Sequence, residues 1–373
     1  MRIAFIGQKG FGIGEKGGGV ETHVTALATR LAAQGHEVTV YARRKYGTAT
    51  LPKGVRVRFM PSIARKNLET ISYSLLATLD ALVRRFDIVH YHGVGPATLA
   101  WIPRLLKPKA RVVATFHSQD RFHAKWGPFA RAYLHVGEWA ACAFPHATIT
   151  VSHVLQVHAR NAYRRQAVYI PNGTDQQTVR KDAHVRRFGL TPKKYALSVS
   201  RLVPHKGQHL LIEAFRALKA RGETNGFKLA IVGAPSYTED YLAELRSLAA
   251  GDHDIRFLGF RSGEELRQLY AHAYVFVQPS ASEGLAVTVL EAMGFGTPVL
   301  VSDIPENLEA IRHAGFTFKN GDAADLADAL GELVRHPSLV ARAGEQAKEL
   351  VREQFSWDAV AAQTEAIYRS VRH

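Results

Sequence analysis

Short apolar, β-branched segments alternate with stretches of helical periodicity along this chain, and the alternation runs through twice. Residues 3–6 predict a strand, residues 20–33 carry a helical repeat of apolar positions, and residues 37–41 read as a strand after the turn at Gln34, Gly35 and His36. That is one βαβ unit. The pattern continues with a strand at 55–60, a helix over 68–84, and strands at 87–91, 111–116, 148–151 and 168–170. A polar stretch follows Pro171, Asn172 and Gly173. A second series of strands then begins at 195–199 and returns at 228–233, 255–259, 275–277 and 298–301. Parallel strands need crossover connections, and helices supply them, so each series predicts a doubly wound parallel sheet. The expected fold is α/β, with two Rossmann-like domains that meet near residue 180 and face each other across a cleft. In such sheets ligands sit beyond the carboxyl ends of the strands, so the loops that follow strands are where chemistry is to be sought.

Composition narrows the partners. With 373 residues, 46% of them hydrophobic, the chain can give both domains a core. No run approaches the roughly eighteen apolar residues of a membrane span, and the segment from Met1 to Gly7 is broken by glycine too early for a signal peptide. A cytoplasmic location is expected. The formal net charge is +15, and it is unevenly placed: residues 1–185 hold 26 Lys and Arg against 10 Asp and Glu, residues 186–373 hold 22 against 23. That asymmetry draws anionic partners to the first half, whether nucleic acid, an anionic membrane or a phosphorylated substrate. Cys142 is the single cysteine, and its apolar setting between Trp139 and Phe144 reads as a packed helix.

The strongest local signal runs from Pro279 to Met293, with Glu283-Gly284-Leu285-Ala286-Val287 near its start, Glu291 near its end and Gly296-Thr297-Pro298 after it. A strand end, a glycine loop and a helix start place backbone N–H groups and the positive end of a helix dipole where a phosphate would sit. Glu283 and Glu291 are eight residues apart, a little over two helical turns, so both carboxylates can reach one ligand from different depths. Carboxylates suit hydroxyl-rich partners because each accepts from two sugar hydroxyls. A second loop, Ser200-Arg201-Leu202-Val203-Pro204-His205-Lys206-Gly207, follows the strand at 195–199. Arg and Lys five apart form a clamp for two phosphates, Arg through its planar fork and Lys as a mobile point charge.

The block from Glu283 to Glu291 resembles the signature of glycosyltransferase family 4, in which two glutamates bracket seven residues; many relatives carry Pro where this chain has Ala286. The resemblance extends along most of the chain. It implies the GT-B fold, with residues 1–180 as an acceptor-binding domain, residues 181–357 as a nucleotide-sugar-binding domain, and a last helix over 358–373 returning to the first domain. It also implies that Glu283 contacts hydroxyls of the transferred sugar and Glu291 the ribose. The N–H groups of Gly284, Leu285, Ala286 and Val287 would hold the diphosphate and sugar, and Arg201 and Lys206 would neutralise the leaving diphosphate. Gly233, at the end of the strand 228–233, joins the expected donor-binding set.

The loop after the first strand is rich in glycine from Gly7 to Gly19 and is too long for a dinucleotide fingerprint. It resembles the family's Gly-Gly loop, which implies that Gly18 and Gly19 face the donor phosphate. His117 stands just past the strand 111–116 and matches the family position whose histidine contacts the transferred sugar. His123 is a weaker site candidate, and Asp120, Arg121, Lys125 and Trp126 are expected to line the acceptor side.

Asp252-His253-Asp254 spells the D-x-D pattern that holds a cation in other glycosyltransferases, but it precedes a strand and reads as a turn. His90, His92, His153 and His158 lack the carboxylate spacing of a zinc site, so no metal and no cofactor are expected. The reading is a retaining, metal-independent hexosyl transfer from a nucleotide diphosphate sugar, UDP-sugar favoured, to a glycan or lipid-linked acceptor. An anionic membrane surface is the expected docking partner of the basic first domain, and nucleic acid is not. A sugar-nucleotide epimerase on the same fold and a basic nucleic-acid-binding protein remain as alternatives.

Overall fold

The computed structural model describes all residues except 13–16, 47–50, 64, 66–67, 120, 122–126, 237 and 373. It contains two compact units, Met1–Asn172 with Trp357–His373, and Gly173–Ser356. The break falls at 172/173, earlier than the expected residue 180. Thr174 forms a parallel bridge with Ser356, its N–H donates to the Phe355 carbonyl at 2.7 Å, and the Gln177 N–H donates to the Gly294 carbonyl at 3.1 Å. Those bonds fasten the polar stretch to the second unit.

The first unit is built on seven strands: β1 (Arg2–Ile6), β2 (Glu37–Arg43), β3 (Val55–Met60), β4 (Ile88–His92), β5 (Arg111–Phe116), β6 (Ala147–Thr150) and β7 (Val168–Tyr169). They pair in the order β3-β2-β1-β4-β5-β6-β7, every pair parallel. Ile3, Ala4, Phe5 and Ile6 are fully buried, which is why β1 reads as an unbroken apolar run: helices cover both faces of the sheet. The order of strands reverses between β1 and β4, and that reversal is the switch point where such sheets open to ligands.

The last helix, Trp357–Ser370, belongs to this first unit. Its Trp357, Val360, Ala361 and Tyr368 join Ile3, Phe5, Val24 and Leu27 in one core, each large side chain contributing about 1.5–3 kcal/mol by leaving water. Arg30 on the helix Gly19–Ala33 pairs with Asp358 at 2.7 Å.

The second unit repeats the plan with β8 (Tyr195–Val199), β9 (Lys228–Val232), β10 (Ile255–Gly259), β11 (Val275–Gln278), β12 (Val299–Ser302) and β13 (Phe316–Phe318). Their order is β10-β9-β8-β11-β12-β13. Its reversal lies between β8 and β11. Leu211, Phe215 and Leu218 of the helix Gln208–Ala220 share a core with Leu326, Leu330 and Leu333 of the helix Ala323–Arg335. The strand β13 was not expected: three residues after Gly315 are too few to show an alternation of apolar and polar positions.

Candidate functional site

β8 and β11 flank the reversal of the second sheet and pair with each other, so the loops that follow them leave the carboxyl edge side by side. Those loops are 200–207 and 279–286, the two that the sequence singled out. They are tied together by main chain: the Ala281 N–H donates to the His205 carbonyl at 2.8 Å. Gly207, with φ +70°, lies so close that a Cβ there would meet the Pro279 carbonyl oxygen at 2.0 Å. Only glycine fits such an approach.

Across this seam the Lys206 ammonium donates to Oε1 of Glu283, and both side chains are largely buried. Gln278 Nε2 donates to the same oxygen at 2.6 Å. Burial pushes the Glu283 carboxyl up, but the Lys206 charge and the hydrogen bonds from Lys206, Ser280 and Gln278 outweigh it and hold the group below the usual carboxylate range. Glu283 is thus a charged acceptor, fixed in its loop by Lys206, Gln278 and Ser280. No hydrogen bond or ion pair to the Arg201 guanidinium is found among the described residues, while its carbonyl is held by Gln208 Nε2 at 2.9 Å.

Leu285, Ala286 and Val287 are buried, so what this stretch offers a ligand is main chain. The helix Val287–Gly294 follows, with Ala286 at its N-cap, and the first-turn N–H groups of a helix have no intrahelical acceptor. Glu291 sits on that helix and accepts from the Tyr270 hydroxyl at 2.9 Å. Burial pushes its carboxyl up to about 7, against the downward pull of that hydroxyl. Gly233, φ +150°, follows β9, and a Cβ there would meet the Ser200 carbonyl oxygen at 1.9 Å. Its smallness lets the loop carrying Arg201 pass.

In the first unit the N–H of Gly18 donates to the Glu21 carboxylate at 2.8 Å, and the other oxygen of Glu21 accepts from the Lys9 N–H at 2.9 Å. That carboxylate closes the glycine-rich loop onto the helix that begins at Gly19. His117 follows β5 and is 8% exposed. Burial, with the neighbouring His23 and His90, holds its imidazole well below its ordinary pKa, so it is neutral at pH 7.

Residues 17–178 match the family model described as Glycosyltransferase Family 4, and residues 181–350 match that of Glycosyl transferases group 1. The chain belongs to the family 4 glycosyltransferases of the GT-B fold. This glycosyltransferase is 27% identical over 370 residues to the GDP-mannose-dependent alpha-(1-6)-phosphatidylinositol monomannoside mannosyltransferase of Mycobacterium tuberculosis, covering 92% of the chain and 93% of the relative. It is 27% identical to the phosphatidyl-myo-inositol mannosyltransferase of Mycobacterium leprae, covering 100% and 97%. Among solved structures, sucrose-phosphate synthase from Thermosynechococcus elongatus superposes with a TM-score of 0.85 at 23% identity, covering 100% of the chain and 99% of the neighbour. Anabaena HepE in complex with UDP and glucose superposes with a TM-score of 0.80 at 20% identity, covering 99% and 100%.

The D-x-D pattern and the cysteine stand where the sequence reading put them, in a turn and inside a helix. Asp252 and Asp254 both pair with Lys219, at 2.7 and 2.5 Å, and Asp252 accepts from the Asp254 N–H. They form a turn before β10, at the amino edge of the sheet. Cys142 is buried within the helix Pro128–Ala143, its thiol pushed up to about 12 by burial, which keeps it a thiol at neutral pH. Asp120, His123, Lys125 and Trp126 lie outside the described residues. Arg121 is within them and pairs with the buried Glu138 at 3.3 Å. Gln278, Ser280, Tyr270 and Glu21 were missed; each holds a site residue by a hydrogen bond that sequence spacing does not encode.

Proposed function

We propose that this glycosyltransferase moves a hexosyl group from a nucleoside diphosphate sugar to an acceptor at a membrane surface or on a saccharide, with retained anomeric configuration and without a catalytic metal. The Lys206–Glu283 pair, set on two loops at the switch point of the second sheet, carries this reading. A single ammonium has three N–H donors, so Lys206 serves the diphosphate while it keeps Glu283 ionised for the sugar hydroxyls. Arg201 adds a second cation, and the helix start at Val287 adds aligned N–H groups. Together they stabilise the charge that gathers on the departing diphosphate, the task a metal ion performs elsewhere. The leaving oxygen takes the acceptor proton. His117 touches the sugar, and Gly18 and Gly19 face the donor phosphate.

The first domain supports a membrane-borne acceptor. Leu75, Leu79 and Val83 are exposed at i, i+4, i+8 on the helix Glu69–Val83, beside the exposed Leu105 and Leu106 of the helix Trp101–Leu106. Arg44, Arg85 and Lys109 are exposed on the same domain, and Arg56 is exposed beside Glu37 at 4.0 Å. Exposed apolar side chains and exposed cations on one domain suit an anionic leaflet, each cation contributing about 1 kcal/mol near the surface. Other cations are already engaged. Arg43 is buried, Arg58 and Arg84 pair with Asp80 at 2.9 and 2.7 Å, and Lys107 caps the end of the helix Glu69–Val83 through the carbonyls of Ala81, Leu82 and Arg84.

The deciding assay presents lipid acceptors, including phosphatidylinositol and its mannosides, in anionic vesicles, with UDP-hexoses and GDP-mannose as donors and EDTA throughout. Transfer with retained configuration by NMR, falling as salt rises, is expected. An inverted product, or a dependence on added divalent ion, would contradict the reading. Glu291 adds a pH signature. The ionised carboxylate accepts from two ribose hydroxyls, so nucleotide affinity should rise about tenfold as pH climbs from one unit below to one unit above the group's midpoint. Calorimetric titration of UDP-glucose and GDP-mannose, whose diphosphates carry no group that titrates in this range, reads this, and the slope should vanish in Glu291→Gln; an equal slope in that variant would contradict the ribose contact.

A further inference from the structure

Three histidines from separate elements of the first domain gather at its switch point: His23 on the helix Gly19–Ala33, His92 at the end of β4 and His117 just past β5. One ring nitrogen of each lies within 4.8 Å of those of the other two. We propose that His23, His92 and His117 form a binding site for a divalent transition-metal ion of the zinc class, whose occupancy withdraws His117 from the sugar and inhibits transfer.

The spacing is that of a tetrahedral site. With bonds of about 2.0–2.1 Å to imidazole nitrogen, two ligands of a tetrahedral zinc stand about 3.3 Å apart, and their ring centroids about 5 Å apart. Nδ1 of His92 and Nε2 of His117 are 3.3 Å apart, at the long end of the hydrogen-bond range. The ring centroids are separated by 4.8 Å for His23 and His117, 5.6 Å for His23 and His92, and 5.6 Å for His92 and His117. Two ligand atoms already span one edge of the tetrahedron, and a rotation of the His23 ring supplies the third.

The surroundings prepare these rings to ligate. His23 Nδ1 donates to Asn172 Oδ1 at 2.9 Å, which leaves its Nε2 lone pair for an ion, the outer-shell arrangement that orients metal-bound histidines. Among the described residues His92 Nε2 has no hydrogen-bond partner, which leaves that nitrogen for an ion. Phe5 meets the His92 ring edge-on at 4.8 Å and Trp357 meets His23 at 5.4 Å, walls that exclude water. Burial keeps all three imidazoles neutral, the form that binds metal. Three protein nitrogens leave the fourth position open, and nitrogen-only donors select zinc, copper or nickel over magnesium or calcium.

The inhibition rests on the sugar contact proposed for His117; the ion binding does not. Full-length protein freed of metal by chelation is titrated with Co(II), then with Zn(II) in competition. One equivalent of Co(II) with the visible bands of tetrahedral cobalt, displaced by one equivalent of Zn(II), is expected. His92→Gln and His117→Gln should each weaken binding at least about a hundredfold, with folding checked by thermal melting, while the exposed His153→Gln keeps it. Absence of a one-equivalent site, or wild-type affinity in both cluster variants, overturns the proposal. Transfer measured in parallel should fall as Zn(II) fills the site and return with EDTA. Binding without inhibition would leave the ion site standing and remove the consequence drawn for His117.

Discussion

Lys206→Ala is expected to cut kcat/KM about a thousandfold, the upper range for removing one preorganised donor from a developing anion. The loss has two parts, because the ammonium both faces the leaving diphosphate and neutralises Glu283. Without it, burial dominates and the Glu283 carboxyl rises, so the group protonates rather than remain a buried unpaired charge. The sign follows from the wild-type state. There the lowered carboxyl contributes stability that is present above its ordinary range and lost as pH falls through the lowered value. In the variant that contribution is gone and ionising Glu283 is uphill, so stability falls as pH rises above the ordinary carboxylate range. Adding Glu283→Gln should recover the melting temperature but none of the turnover. A double variant that regains activity would mean that the pair is structural only.

Gly207→Ala should be severely damaging to the second domain, on a par with Gly233→Ala. At φ +70° a non-glycine residue costs about 1–2 kcal/mol, and the Cβ would also meet the Pro279 carbonyl oxygen at 2.0 Å. The loops 200–207 and 279–286 must part, which breaks the bond between Ala281 and His205 and separates Lys206 from Glu283. A total loss of about 3 kcal/mol or more lowers the midpoint of thermal unfolding by about 6–12 °C for a domain of this size, and misplacing the cation by an ångström costs about a hundredfold in rate. Gly222→Ala separates the causes. Gly222 has φ +73° with nothing within 4 Å of a Cβ, so it should show the backbone strain alone and keep full activity. Equal loss of activity in both variants would refute the role given to the seam between the loops.

The fold was legible because parallel strands covered on both faces are apolar nearly throughout, and runs such as Ile3-Ala4-Phe5-Ile6 and Val299-Leu300-Val301 announce that. The short β13 carries too few residues to do so. Which loops flank each switch point was also within reach, since strand order in doubly wound sheets is nearly fixed by the crossover rule. Pairing within the site was not. Lys206 and Glu283 are 77 residues apart, and the sequence assigned one to phosphate and the other to sugar without showing that each sets the state of the other. The three histidines stayed hidden for the same reason: they come from a helix and two strand ends, so no local spacing joins them.

The central claim is that a pyrophosphate lies between the loops that leave β8 and β11. A crystal structure of the full chain with an intact sugar nucleotide, grown in EDTA, tests it most directly. The predicted result has phosphate oxygens about 3 Å from Lys206 Nζ, from the Arg201 guanidinium and from the main-chain N–H groups of residues 284–287, with Glu283 on the sugar. A nucleotide bound elsewhere, with Lys206 and Glu283 facing only each other, would contradict it.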